Sequence, residues 1–178
     1  IGKVNSEPVK RILRSETKNL APRPAPTPRK VKNFGLKMRE VALAAAKALT
    51  NNETMLTDLD AKAGDGDLGT SMSRGSSAIV RIPESKWTSP DAILATLGQT
   101  LRRAIGGSSG PFYATALLRA ARTLQDKNTP TGADWAEAFE NAVTAISELG
   151  GAKPGDRTMI DALHPAACAF REAVNKGA

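Results

Sequence analysis

The sequence has one cysteine, Cys168, and one histidine, His164, in 178 residues. A single thiol excludes an intramolecular disulfide framework and a thiolate cluster. A single imidazole excludes a two-histidine metal site. A Cys–His catalytic dyad is disfavoured because the two residues stand only four apart. Aromatic residues make up 4% of the chain, and they do not interleave with basic ones as stacking platforms for single strands require. No apolar run approaches the roughly 18 residues that suggest a bilayer span. No basic n-region precedes an apolar h-region, so no secretory signal is read. The first residue is Ile1, and the chain is expected to lack its native start.

What is present divides into two parts. The net charge is +7, which for an evenly charged chain would suggest a nucleic-acid or membrane-surface binder. The charge is not even. Residues 1–40 carry eleven Lys and Arg against three acidic residues, Glu7, Glu16 and Glu40. Residues 41–178 carry the other 14 basic and 15 acidic residues and are nearly neutral. Within the leader, Pro22 to Pro28 places proline at every second position, which favours an extended, semi-rigid connector. Val4 to Leu20 is polar and basic and reads as disordered or as the tail of a preceding domain. The domain reading is therefore a basic tail and Pro-rich interdomain linker over 1–33 and a helical domain over 34–178.

From Gly35 onward the pattern is helical. Leu36 to Leu49 is rich in alanine and good helix formers. A second helix is expected from just after Gly69 to about Arg81. A third opens at Pro90-Asp91, with Ile93, Leu97, Leu101 and Ile105 spaced by four and Leu94 widening the stripe. Pro111 suits a first helical position for a helix to about Leu124. Asp134 to Leu149 forms another, closed by Gly150-Gly151. The last runs from about Thr158 to Val174, with Pro165 kinking it or marking its true first turn. Val80 to Pro83 is too short for a convincing strand, so the body is expected to be all-α.

Three Gly-rich loops carry the candidate chemistry. Residues 60–69, Asp-Ala-Lys-Ala-Gly-Asp-Gly-Asp-Leu-Gly, place carboxylates at Asp60, Asp65 and Asp67. Clustered carboxylates repel unless a cation is present, and oxygen-only donors suit Mg²⁺ or Ca²⁺. An EF-hand is excluded, because Lys62 and Ser71 fall at the third and twelfth positions counted from Asp60. A solvated Asp–Gly turn would have the same composition. Residues 106–112, Gly-Gly-Ser-Ser-Gly-Pro-Phe, lead into a helix whose free N–H groups would favour an anion, with Ser108 and Ser109 as hydroxyl donors. This is no Walker A loop, and an ordinary helix–helix connection would also fit. Residues 150–161 form a third Gly-rich turn into a helix, with Asp156 as a candidate cap and Met159 able to pack on a flat ring or in the core. Cys168 is expected to be a small core residue, and His164 a structural or surface one.

Together, Asp60 to Arg74, Gly106 to Thr115 and Gly150 to Ala162 resemble the nucleotide-binding domain of dihydroxyacetone kinases, over roughly residues 35–178. That domain is an L subunit when separate and the C-terminal domain when fused. The resemblance implies an up-and-down barrel of about eight antiparallel amphipathic helices, incomplete at its C-terminus in this chain, with nucleotide held in the loops at one end. It implies Asp60, Asp65 and Asp67 as ligands of two Mg²⁺ ions. It implies ATP or ADP contacts at Leu68, Gly69, Thr70 and Ser71, a phosphate-contacting pair at Ser108 and Ser109, and Gly150 and Met159 lining the nucleotide. Leu68 departs from the histidine of many members, and Ser71 from their asparagine. The family's Gly-Arg-Ala-Ser-Tyr-like helix and Asp-Pro-Gly-Ala segment are not reached before Lys176-Gly177-Ala178.

The function so implied is phosphoryl transfer from Mg-ATP to a small ketose such as dihydroxyacetone, held by a separate ketose-binding K domain. The protein is expected to be cytoplasmic and, when complete, a homodimer, with no nucleic-acid or membrane partner. Alternatives are an ADP-holding L subunit recharged by a phosphocarrier protein and a non-catalytic regulatory relative. A binding module recruited through the basic leader would instead show salt-dependent association.

Overall fold

The structure, a computed structural model, describes residues 28–107 and 109–177, with side chains from Phe34 onward. Val4–Leu20 and most of the proline-alternating stretch lie outside the described residues. The described residues form seven α-helices, α1 (Pro28–Asn51), α2 (Glu53–Asp60), α3 (Leu68–Val80), α4 (Pro90–Ala104), α5 (Ser109–Thr123), α6 (Gly132–Gly150) and α7 (Ile160–Asn175). A 3₁₀ turn, Glu84–Lys86, separates α3 from α4. There is no strand among the described residues. The all-helical expectation therefore holds, with seven helices where about eight were implied.

Several boundaries differ from the sequence reading: α5 begins at Ser109, so Pro111 is its third residue and not its first, and α7 begins at Ile160 and not near Thr158. Helix α1 begins at Pro28, inside the stretch read as linker. Pro28 at a helix start is physically apt, because the missing N–H belongs to a group that has no intrahelical partner there. Helix α2 had no counterpart in the sequence reading, as it is only eight residues long and buries none of them. Helix α6 starts at Gly132, two residues earlier than expected, with Thr131 as its cap. The Thr131 hydroxyl accepts from the Asp134 N–H, and the Asp134 carboxylate accepts from the Thr131 N–H. Pro165 is accommodated inside α7.

Sequential helices pack side by side. Helices α4, α5, α6 and α7 each pack on the next, α3 packs on α2 and α4, and α1 lies on α3 and more lightly on α4. Because neighbours run up and down, the loops α2–α3, α4–α5 and α6–α7 fall at one end of the bundle. These are the three Gly-rich loops. The helix series does not close into a ring, since α7 packs extensively only on α6 among the described residues.

The core forms three clusters. The stripe read on α4 is buried at Ile93, Leu94 and Leu97, with Ile105 buried just beyond the helix. Ile93 and Leu97 join Ile82 and Trp87 against Phe34, Met38 and Ala42 of α1. Leu94 instead joins Leu124, Ala138 and Ala142 between α4, α5 and α6. Val143, Ile146, Ile160 and Ala167 tie α6 to α7. Gly35 lets α1 approach the Trp87 backbone so closely that a Cβ there would run into the Trp87 carbonyl. Phe34 also stacks on Trp135 of α6, with ring centroids 6.2 Å apart.

Cys168 corrects the sequence reading. It is exposed, on the outward side of α7, with its Sγ 4.0 Å from His164 Nδ1. Ala167, one position earlier, takes the inward place. No described helix is long and apolar enough to cross a membrane.

Candidate functional site

Helix α2 ends on Asp60 and α3 begins on Leu68, so the intervening loop must turn back within a few residues. Gly66 makes this possible at φ 77°, a left-handed conformation that side chains other than glycine rarely adopt. The Gly64 N–H bonds back to the Asp60 carbonyl at 2.5 Å. Gly69 sets the helix contact, since a Cβ there would run into the Glu53 carbonyl and Thr57 Oγ1 of α2.

This turn gathers the three aspartates. One carboxylate oxygen from each of Asp60, Asp65 and Asp67 lies within 4.8 Å of the others. Each carboxylate is held by one hydrogen bond. Asp60 Oδ2 accepts from the Leu68 N–H at 3.2 Å, Asp65 Oδ1 from the Asp67 N–H at 3.4 Å, and Asp67 Oδ2 from Ser71 Oγ at 3.4 Å. The remaining oxygen of each has no hydrogen-bond partner, and none of the three forms an ion pair, among the described residues. Three oxygens this close, with no protein cation between them, fit a hard divalent ion. Asp60 is half-buried, while Asp65 and Asp67 face solvent.

The other candidate residues fall around this turn as follows. Leu68 is half-buried, Gly69 is buried against α2, Thr70 is exposed and Ser71 is fully buried beneath Asp67. Ser109 is the half-buried first residue of α5, and Gly107 before it takes φ 64°. Ser108 lies outside the described residues. Arg74, which the sequence reading left without a role, joins the first two loops. Its Nη2 donates to Ser71 Oγ at 3.1 Å, and a Cβ on Gly106 would sit 3.8 Å from the same nitrogen. Only the folded chain brings Arg74 and Gly106 together.

The third loop meets the second through α5. Gly150 ends α6 and faces the Phe112 ring, which a Cβ would meet at 2.9 Å. Met159 precedes α7 and packs with Phe112 against the α6–α7 cluster. Gly150 and Met159 thus touch α5 and not the aspartate turn. Asp156 does not cap α7 as expected. Its Oδ2 accepts from the Lys153 N–H at 2.8 Å and closes the loop locally. Asp161 organises the helix start, accepting from the Gly155 N–H at 2.6 Å and the Thr158 N–H at 2.8 Å. These bonds, Gly155 first, hold its carboxyl below the usual carboxylate range. The spacing Thr158-x-x-Asp161 is a capping-box signal that was readable in the sequence.

A large apolar cavity lies elsewhere, between α5, α6 and α7. It has about 650 Å³ and is walled almost wholly by apolar side chains, including Tyr113, Trp135, Phe139 and Leu163. It offers nothing to grip a phosphate. Burial there raises the pKa of Tyr113. Met159 also reaches its wall.

An all-helical bundle with a carboxylate turn and Gly-rich helix entries at one end defines a class of domain suited to metal-bridged phosphates. Comparison with known proteins places it more narrowly. The DAK2 domain family model matches residues 62–178, and the chain belongs to that family. It is 37% identical to a probable dihydroxyacetone kinase of Dictyostelium discoideum over 142 residues, 76% of this chain and 22% of that protein. It is 35% identical to the ADP-binding subunit DhaL of the PEP-dependent dihydroxyacetone kinase of Escherichia coli, covering 66% of this chain and 56% of that subunit. The crystal structure of the C. freundii dihydroxyacetone kinase with AMP-PNP and Mg²⁺ superposes with a TM-score of 0.62 at 28% identity, over 87% of this chain and 28% of that one. Its native form gives a TM-score of 0.68. The chain therefore spans about a quarter of the long kinases it matches and about half of the separate subunit.

Proposed function

We propose that the chain is the nucleotide-binding domain of an ATP-dependent ketose kinase of the dihydroxyacetone kinase type. The observation that carries this reading is the convergence of Asp60, Asp65 and Asp67 within 4.8 Å at the entry to α3, with no cation paired to them among the described residues. Its support is the family membership and the likeness to a kinase solved with AMP-PNP and Mg²⁺.

In this reading the three aspartates hold Mg²⁺, two ions by resemblance, and Leu68, Gly69, Thr70 and Ser71 contact the nucleotide. Bound there, Mg²⁺ supplies charge neutralisation and in-line positioning of the phosphates. The chain does the rest. The N–H groups opening α3 and α5 turn the positive ends of two helix dipoles toward the phosphates. Ser108 and Ser109 offer hydroxyls to the same oxygens. Ser71, buried and bonded to Asp67, keeps that carboxylate oriented. Gly150 and Met159 border the base, and the bare Cα of Gly150 lets the Phe112 ring pack against it.

The acceptor is a small ketose such as dihydroxyacetone, held on a ketose-binding domain that residues 1–33 link to the helical domain of residues 34–178. The complete protein is a cytoplasmic homodimer, and a free thiol at Cys168 fits a reducing compartment. A second reading, an ADP-holding subunit served by a phosphocarrier, is favoured by the 56% coverage of the E. coli subunit. Reconstitution decides between them. The chain is mixed with a purified ketose-binding domain and dihydroxyacetone, and phosphorylated ketose is measured. Turnover with free ATP supports the first reading. Turnover only with phosphocarrier supports the second, and none with either donor points to the regulatory relative.

A further inference from the structure

Arg74 stands in the second turn of α3, facing solvent, and makes no ion pair among the described residues. Its surroundings are nonetheless organised. The Nη2 that donates to Ser71 Oγ at 3.1 Å is also the group nearest Gly106. Ser71 Oγ in turn donates to Asp67 Oδ2 at 3.4 Å. The guanidinium is therefore anchored by one nitrogen beside the carboxylate turn, and its other donors have no partner among the described residues. It lines a shallow depression with Glu53, Thr70, Ser73, Ser77, Arg81 and Ala104, so that two arginines face one acidic residue there. An arginine beside three carboxylates would be expected to pair with one of them. Here it is held at one remove, through a serine, and stays available to another anion. Its planar fork suits phosphate oxygens.

We infer that Arg74 binds the terminal phosphate of a nucleoside di- or triphosphate, clamping it between the aspartate turn and the Gly106–Gly107 turn. The inference rests on the nucleotide-binding reading above. Arg74 touches the ligand directly in this account, and its bond to Ser71 sets the guanidinium's direction.

The test is a calorimetric titration of the full chain and its Arg74→Gln and Arg74→Lys variants with Mg-ADP, with Mg-AMP and, separately, with Mn²⁺ alone. Losing charge-assisted bonds to a phosphate should weaken Mg-ADP binding of Arg74→Gln about 10- to 100-fold. Mn²⁺ alone and Mg-AMP should change by less than about 3-fold. Arg74→Lys, which keeps the charge without the fork, should recover part of the Mg-ADP affinity. It also serves as the deciding variant should Arg74→Gln fail to fold. Unchanged Mg-ADP affinity in the variants overturns the assignment. So does a parallel loss of Mn²⁺ binding, which would make Arg74 a support for Asp67 only. A wild-type chain that binds Mn²⁺ but no Mg-ADP removes the nucleotide reading itself, and this inference with it.

Discussion

Replacing Gly69 by alanine separates two opposed effects of similar size. Gly69 lies inside α3, and in an exposed helix Gly→Ala stabilises by about 1 kcal/mol through backbone entropy. Here the new Cβ would meet the Glu53 carbonyl and Thr57 Oγ1 of α2. The carbonyl is fixed within α2, so relief requires the two helices to part. Overpacking of this kind costs about 1–3 kcal/mol. The net expectation is a loss of about 1 kcal/mol, taking the middle of that range against the propensity gain. For a domain of this size that lowers the melting temperature by about 2–4 °C. The functional effect should be larger, because α2 ends on Asp60 and its displacement carries one carboxylate away from the other two. Gly75→Ala is the internal control. The nearest atoms to its Cβ would be side-chain methyls of Ile105 and Leu101, at 3.1 Å, and these can give. Circular-dichroism melts and Mn²⁺ titrations of both variants provide the assay. A Gly69→Ala protein as stable as wild type, with undiminished Mn²⁺ affinity, would refute the claim that this close approach positions Asp60.

Other outcomes follow from single contacts. Thr131→Ala removes the α6 capping box and should cost about 1 kcal/mol in urea unfolding, while Thr131→Ser should cost little. Asp134 is held at a pKa of about 2, by its bond to Lys127 first and then by Thr131, below the ordinary 3.8. A depressed folded-state pKa contributes stability that is complete above about pH 4 and lost as pH falls toward about 2. Melts across that window should therefore show a steeper acid loss in wild type than in Asp134→Asn, and parallel curves would contradict this. Asp161 shares the direction of shift, so Asp161→Asn should flatten the same acid limb and also loosen the third loop, read as faster amide exchange at Gly155 and Thr158.

Much of this architecture was legible in the sequence. The apolar stripe of α4 was readable because its first two turns bury Ile93, Leu94 and Leu97, and Gly151 closed α6 as the Gly-Gly pair suggested, at φ 71°. Helix α2 was not readable. Its apolar residues Met55 and Leu59 are exposed, so the sequence carries no buried stripe there to recognise. Cys168 was misplaced because it stands in a run of small residues, Ala166 to Ala169, which composition cannot phase; Ala167 holds the inward position. Within the site, the three aspartates were readable because one short loop carries them all. Arg74 was not, since its significance depends on Gly106, a residue in another loop. The cap at Asp161 could have been found from Thr158-x-x-Asp161, had Asp156 not offered a nearer carboxylate.

The central claim is that Asp60, Asp65 and Asp67 form a metal site that recruits nucleotide. Its most direct test is calorimetric ADP binding to the full chain, with Mg²⁺ and with Mg²⁺ removed by chelation, repeated on Asp65→Ala. The account predicts ADP binding that requires Mg²⁺ and is abolished in Asp65→Ala while the melting temperature stays near wild type. Mg-ADP affinity unchanged by that substitution would contradict it.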